Sequence, residues 1–368
     1  MDEPAGMIFG NFYEGKRVLV TGDTGFKGSW LSEWLLGLGA EVSGISLPPA
    51  TKPSLFNQLD LGQRIDHHDQ DIRDQQAVAD LIRKLQPDVL FHLAAQPLVR
   101  LSYDTPVETY AVNVMGTVHV LDALRSLKKE CAAVFITTDK CYQNREWLQG
   151  YREEDPMGGH DPYSASKGAA ELVIASYRNS FFPSNGSIRV ASARAGNVIG
   201  GGDWAKDRIV PDCIRAIRSG TSIPVRNKIA TRPWQHVLEP LSGYLLLGAN
   251  LASSPDPHFQ TAFNLGPELA SNRTVAQLVA QLISHTGGEW IDASNPDAPH
   301  EASKLNLSID KAFHLLKWQP VWNFEQTLEN TASWYLGENS GQNPADLTRS
   351  QITAYQSAAA QKSFPWAS

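Results

Sequence analysis

Cysteine is scarce: Cys131, Cys141 and Cys213 are too few and too scattered for a disulfide framework or a thiolate metal site. Histidine does not fill the gap. His67, His68, His92, His119 and His300 share no ligand spacing, so no metal is expected. No apolar run nears the ~18 residues that span a bilayer. The opening MDEPAGM also lacks the charged-then-apolar order of a signal peptide. Positive charge is short as well. The 32 Lys and Arg stand against 39 Asp and Glu, for a formal net charge of -7, without a clustered basic stripe. That balance argues against nucleic acid as a partner. There is no internal repeat and no low-complexity segment. The expectation is a cytoplasmic, soluble protein with no membrane partner, whose 368 residues allow two domains or one with an appended lobe.

Strand and helix patterns alternate through the first half. Lys16 to Thr21 reads as a strand entering a glycine loop, and Trp30, Leu31, Trp34, Leu35 and Leu38 mark the helix behind it. Further strands are expected at Glu41 to Ser46, Arg64 to Asp71, Pro87 to His92, 132 to 138 and Ile188 to Ala193. Helices are expected at 74 to 85, about 104 to 126 and from Tyr163 to about 180. The alternation predicts an α/β fold: a doubly wound parallel sheet of Rossmann type. Beyond residue 197 the pattern loosens into a smaller mixed α/β lobe over the C-terminal edge of the sheet. The expected division is 14–197 plus about 236–262 for the dinucleotide domain. About 198–235 and 263–368 are left for the substrate lobe.

Gly22-x-x-Gly25-x-x-Gly28 directly follows the first strand and opens a helix, the context that separates a dinucleotide loop from chance glycines. Phe26 and Lys27 sit at the helix start, where free N–H groups suit a pyrophosphate. The second strand ends Gly44-Ile45-Ser46-Leu47, with no acid for a ribose and no Arg for a 2′-phosphate, so NAD and NADP are not separated there. Asp71 and Ile72 stand where adenine contacts are expected, next to Asp74 as a helix N-cap. Leu93, Ala94, Ala95 and Gln96 close the fourth strand with mostly small side chains. Asn113 is a poor helix former placed mid-helix.

The chemistry concentrates in residues 137 to 167. A buried run ends in Thr137, Thr138, Asp139 and Lys140, and Pro162 then opens a helix carrying Tyr163 and Lys167 on one face. A phenol of reference pKa about 10 is a poor base near neutrality. A lysine one turn away, with a cationic nicotinamide, favours the phenolate. Tyr163 then takes a hydroxyl proton as hydride leaves the same carbon. Trp147, Trp204 and Trp234 lie in polar stretches, where stacking on a base or sugar and core packing are equally open readings.

These residues resemble the extended short-chain dehydrogenase/reductases that modify nucleotide sugars, most nearly their 4,6-dehydratases. The likeness runs from about 14 to 335. It rests on TGDTGFKGSW (Thr21 to Trp30), HLAAQPLVRLSY (His92 to Tyr103), TDKCY (Thr138 to Tyr142), DPYSASK (Asp161 to Lys167), ARAGNVIGGGDW (Ala193 to Trp204) and RPWQHV (Arg232 to Val237). The resemblance implies an NAD that is regenerated in each cycle. It implies CDP-glucose as substrate, CDP-4-keto-6-deoxyglucose as product, and a homodimer, or a tetramer, built through two long helices. Thr138, Tyr163 and Lys167 would oxidise C4, with Asp139 as acid and Lys140 as base in removing water across C5 and C6. Gln96, Asn197, Arg208, Ile209, Arg232, Trp234 and Gln235 would hold the nucleotide sugar. The reverse pairing, Asp139 as base and Lys140 as acid, uses the ordinary charge states of both groups. A 4-epimerase, or a dehydratase of a UDP-, dTDP- or GDP-sugar, is the alternative on the same scaffold. One departure stands out: the resemblance leads to a histidine where this chain has Asp23. A carboxylate there either faces the pyrophosphate unfavourably or turns to cap the Phe26 or Lys27 N–H.

Overall fold

The structure, a computed structural model, describes residues 7–294 and 304–368. Short runs of buried aliphatic residues become β1 (Arg17–Thr21), β2 (Glu41–Ser46), β4 (Val89–His92), β5 (Cys131–Thr137) and β6 (Ile188–Arg194). With β3 (Asp66–Asp69) and β7 (Ala262–Asn264) they form one sheet in the order β7-β6-β5-β4-β1-β2-β3. All adjacent pairs are parallel. All seven residues of β5 are buried, as a central parallel strand covered on both faces requires. The direction of winding reverses between β1 and β4, so a crevice opens at the carboxyl ends of these strands.

Helices cover both faces. α1 (Phe26–Gly37) packs on one side with the later helices, its Trp30 and Trp34 fully buried. On the other side lie α2 (Gln75–Leu85), whose N-cap Asp74 accepts from Ala77 N at 3.0 Å, and the helices that follow β4. The long helix expected at about 104 to 126 runs without a break through α4 (Pro106–Tyr110), a π-type turn (Ala111–Met115) and α5 (Gly116–Leu124), and a separate short helix, α3 (Val99–Asp104), precedes it. Pro106 disfavours helical backbone at Thr105, which sits at φ -130°, ψ 60°. The third strand is shorter than expected because its Asp-His-His-Asp core lies at the sheet edge with no apolar residue to bury.

α6 (Pro162–Phe181) runs across the carboxyl end of β5, as its sequence predicts. Among the described residues, the lobe after β6 contains α7 (Ile209–Arg218), three small strand pairs and a later helix, Val275–Thr286. Between these stretches, α8 (Leu238–Ser253) packs back under the sheet. The tail departs from its expected place with the lobe. α9 (Pro344–Gln361) packs on α1, where Tyr355 lies 5.8 Å edge-on to Trp34 and Arg349 Nε donates to Glu33 at 2.8 Å. Residues 262–264 likewise belong to the main sheet as β7.

Two devices hold the tail. Glu239 of α8, fully buried, accepts from Val321 N (2.9 Å), Trp322 N (2.7 Å) and Tyr355 Oη (2.7 Å), which oppose without outweighing the burial that pushes its carboxyl up to about 7. Trp366 stacks on Phe9 at 5.1 Å and 12°, joining the two ends of the chain. Replacing the buried Trp366 by Ala is expected to cost about 3–5 kcal/mol. Urea unfolding should show this as a lower midpoint at unchanged m value.

Candidate active site

The crevice is a cleft of about 1480 Å³ between the sheet and the lobe. Its floor includes Gly22, Gly25, Phe26, Lys27 and Gly28 at the end of β1 and the start of α1. A Cβ on Gly28 would stand 2.0 Å from Gly22 O, so only glycine lets the helix start this close to the loop. Asp71, Ile72, Leu93, Ala94, Ala95 and Thr137 continue the wall along the strand ends. A tight glycine cradle, the free N–H groups of a twelve-residue helix and a strip of small side chains fit a dinucleotide. At the end of β2, Ser46 Oγ lies 2.5 Å from Thr24 Oγ1 and no acid is present. The Arg73 guanidinium beside Asp71 holds that carboxyl below its ordinary range.

Tyr163 and Lys167 rise from the first turns of α6 into the cleft. Asp161 caps this helix, accepting from Ser164 N at 2.9 Å, and Ser102 Oγ accepts from Tyr163 N at 3.1 Å. Lys167 Nζ donates to Ile136 O at 3.3 Å, which ties the helix to β5. Burial pushes the Tyr163 phenol up to about 12 against a hydrogen bond with Thr138, and pushes the Lys167 ammonium down to about 8. Lys27 is pushed down to about 7 by burial and by the charges of Arg208 and Lys167. Burial alone thus opposes charge on each of these groups, and neighbouring charges decide their state.

Thr138 directly follows β5 and donates to Asp139 Oδ1 at 2.9 Å, while Asn197 Nδ2 donates to Asp139 Oδ2 at 3.0 Å. The Asp139 carboxylate is fully buried and lies where a Cβ on Gly196 would stand, 2.1 Å away. Lys140, by contrast, is part of the cleft wall. Arg208, Ile209, Arg232 and Trp234 line the lobe side, with Arg208 Nη1 donating to Asp203 at 2.9 Å.

Several expected ligands sit elsewhere. Gln235 is buried behind the wall, donating to Gly196 O and Leu265 O. Gln96 folds back on Leu98 and Thr109. Asn113 is buried, bridging the Gln96 backbone and Ser166 Oγ. The π-type turn aims Asn113 inward, so it braces the β4 loop against α6 rather than lining the cleft. Among the tryptophans, Trp204 is buried against Tyr335 and Trp147 packs on Tyr151, leaving Trp234 on the cleft.

Asp23 adopts neither expected orientation. Fully buried, it reaches across β2 to His67 Nδ1 of β3 at 2.7 Å. Gly44 makes the crossing possible: it is paired in register with His67, and a Cβ there would come within 2.3 Å of Asp23 Oδ2. Hydrogen bonding to Asp23 raises the His67 pKa, outweighing its burial. The glycine loop thus receives an imidazole from β3.

Sequence reading also missed the support beneath the catalytic helix. Glu171, two turns below Tyr163 on α6, is buried and accepts from Thr137 Oγ1, from Ser192 Oγ at 2.9 Å and from Arg194 Nη2 at 2.8 Å. Arg194 also donates to Tyr142 Oη at 2.7 Å. The signal was present in the four-residue spacing of Tyr163, Lys167 and Glu171, which places all three on one helix face.

Residues 19–331 match the family model described as GDP-mannose 4,6 dehydratase. The chain is 47% identical over 359 residues to CDP-glucose 4,6-dehydratase of Salmonella typhimurium, covering 96% of this chain and 99% of that protein. Among solved structures, the fold matches UDP-glucose 4-epimerase from Stenotrophomonas maltophila with bound NAD. The TM-score is 0.76 at 19% identity, over 88% of this chain and 99% of that one. dTDP-glucose 4,6-dehydratase from Bacillus anthracis in complex with NAD matches with TM-score 0.73 at 20% identity, over 89% and 99% of the two chains.

The Asp23–His67 pair has a measurable pH signature. Because the folded His67 pKa is raised above its unfolded value, its stabilisation is fully present below about 6.5 and fades as pH rises through the raised value. Between about pH 6 and pH 8 the thermal midpoint of the wild type is expected to fall more steeply than that of His67→Gln. Parallel curves would remove the pair as a source of stability.

Proposed function

The chain belongs to the family described as GDP-mannose 4,6 dehydratase, and within it we propose that it converts CDP-glucose to CDP-4-keto-6-deoxyglucose with NAD. One observation carries the reaction type: Thr138, Asp139 and Lys140 follow one another at the end of β5 opposite Tyr163 and Lys167. Oxidation at C4 needs Thr138, Tyr163 and Lys167. Asp139 and Lys140 are groups that an epimerase can do without and a dehydratase cannot. The 47% identity to a CDP-glucose 4,6-dehydratase over nearly the whole chain supports the nucleotide and sugar.

The glycine loop, Asp71, Ile72 and Leu93 to Ala95 would hold NAD, which would supply the hydride acceptor for C4 and the donor for C6. Tyr163 takes the C4 hydroxyl proton, with the Lys167 ammonium and the Thr138 hydroxyl favouring the phenolate. Lys140, on the cleft wall, removes the C5 proton made acidic by the new ketone. Asp139, oriented by Thr138 and Asn197 and taking part as the protonated carboxylic acid, gives its proton to the departing O6, which leaves as water while Asp139 becomes a carboxylate. Arg208 and Arg232 hold the diphosphate from the lobe, where a guanidinium fork suits paired phosphate oxygens. Ile209 and Trp234 complete that wall. Residues 14–197 with 236–262 carry the cofactor side of this division and the lobe carries the nucleotide sugar.

Among the described residues no helix is long and apolar enough to cross a membrane. We place the enzyme in the cytoplasm, where a water-soluble nucleotide sugar is available to it. Val107 (83% exposed), Tyr103, Tyr110 and Met115 on the segments from 99 to 115 form an apolar surface beside Leu172 of α6. A second copy covering this surface makes a homodimer. Val107→Glu combined with Leu172→Glu is expected to yield monomers in sedimentation velocity. An unchanged assembly would place the interface elsewhere.

Turnover of CDP-, dTDP-, UDP- and GDP-glucose is expected to favour CDP-glucose, with a 4-keto product detected by its alkali-induced absorbance. Epimerised sugar without loss of water would overturn the dehydratase reading, and equal turnover of the four would overturn the nucleotide. In deuterium oxide, Lys140→Met is expected to lose exchange at C5 while Asp139→Asn retains it and eliminates water slowly. The opposite pattern would exchange the two roles.

A further inference from the structure

Tyr163 and Lys167 share a face of α6 with a third ionisable residue one turn on. Glu171 is 4% exposed and cannot reach solvent, yet its carboxylate is fully engaged. Arg194 and Ser192 of β6 and Thr137 of β5 all donate to it. The remaining charged or titratable groups that face it are Lys167 and Arg178 on its own helix and Cys141 on the turn after β5. Thr137 is adjacent to Thr138, and Lys167 lies one turn from both Tyr163 and Glu171. The carboxylate thus connects the two elements that carry the oxidation chemistry.

We infer that Glu171 is a positioning residue for the C4 oxidation: held by Thr137 of β5 and by Ser192 and Arg194 of β6, it fixes the face of α6 it shares with Lys167 and Tyr163, and so acts through Lys167. This rests on the oxidation step proposed above. Three donors, one of them a guanidinium, hold the Glu171 carboxyl below its ordinary range despite burial. Burial lowers the Lys167 pKa, and the Glu171 carboxylate one turn along the same helix face opposes that shift. A neutral Lys167 would neither favour the Tyr163 phenolate nor donate to Ile136 O with the strength of a charged group.

A residue that merely staples α6 to the sheet would affect folding without altering the titration of Lys167. The two roles separate by competitive labelling of Lys167, read by mass spectrometry against pH with acetic anhydride as probe. This measurement needs no substrate, so it stands even if the wild type proves inactive on CDP-glucose. Glu171→Gln is expected to lower the labelling midpoint of Lys167 by about one pH unit. The alkaline limb of kcat should move the same way, with KM for the nucleotide sugar unchanged. Glu171→Asp is expected to restore most of both. Because Glu171→Gln leaves a buried guanidinium unpaired, Glu171→Gln/Arg194→Met is measured alongside it. The shifted midpoint should persist there while thermal stability recovers. A midpoint equal to wild type in the double variant, or in a folded Glu171→Gln, overturns the inference.

Discussion

The seating of α6 across the carboxyl end of β5 is the constraint on which the site depends. Parallel strands end together at one edge of a sheet, and the winding reversal between β1 and β4 keeps that edge open. Into the opening β5 delivers Thr138, Asp139 and Lys140 within one turn, and α6 delivers Tyr163 and Lys167 within the next. Neither set is useful without the other. Their separation is fixed by contacts below the cleft: Lys167 on Ile136 O, Tyr163 N on Ser102, and Glu171 spanning Thr137, Ser192 and Arg194. Burying an ion pair is costly in desolvation unless all its groups are satisfied. Here one face of the catalytic helix is committed to satisfying this one.

Burial explains the tuning of the residues as well as their placement. Tyr163, Lys167 and Lys27 all lie in low-polarity surroundings that disfavour charge, so each responds strongly to the charges nearby. The lobe adds Arg208 and Arg232, two positive groups on the cleft wall suited to a diphosphate. Asp139 is handled differently. Enclosed beneath Gly196 and accepting from Thr138 and Asn197, it is oriented before any substrate arrives.

Much of this was legible in the chain because local patterns encode local structure. The alternation of apolar strands with amphipathic helices identified the sheet. The glycine loop at the first strand identified the cradle, and Pro162-Tyr163-x-x-x-Lys167 identified a helix start with both residues on one face. Misreadings arose where a side chain's partner lay far along the chain. Gln235 has the right position for a ligand but spends its amide on Gly196 and Leu265. Asn113 turned inward because a π-type turn shifted its face, a change of phase that helical periodicity does not register.

The sequence by itself determined the fold class, the glycine loop and the five groups proposed for the reaction, since each is written in residues within a turn or two of one another. The tertiary structure alone decided which of those groups meet the cleft and what holds them. That Asp23 finds His67 across Gly44 follows from the register of β2 and β3, strands separated by a loop. That Glu171 meets Arg194 follows from the path of α6 over β5 and β6. That the final helix clasps α1 rather than the lobe follows from Glu239 and the aromatic stack at Trp366. In each case the deciding contacts join buried groups far apart in the chain, and those partners are set by packing rather than by spacing along it.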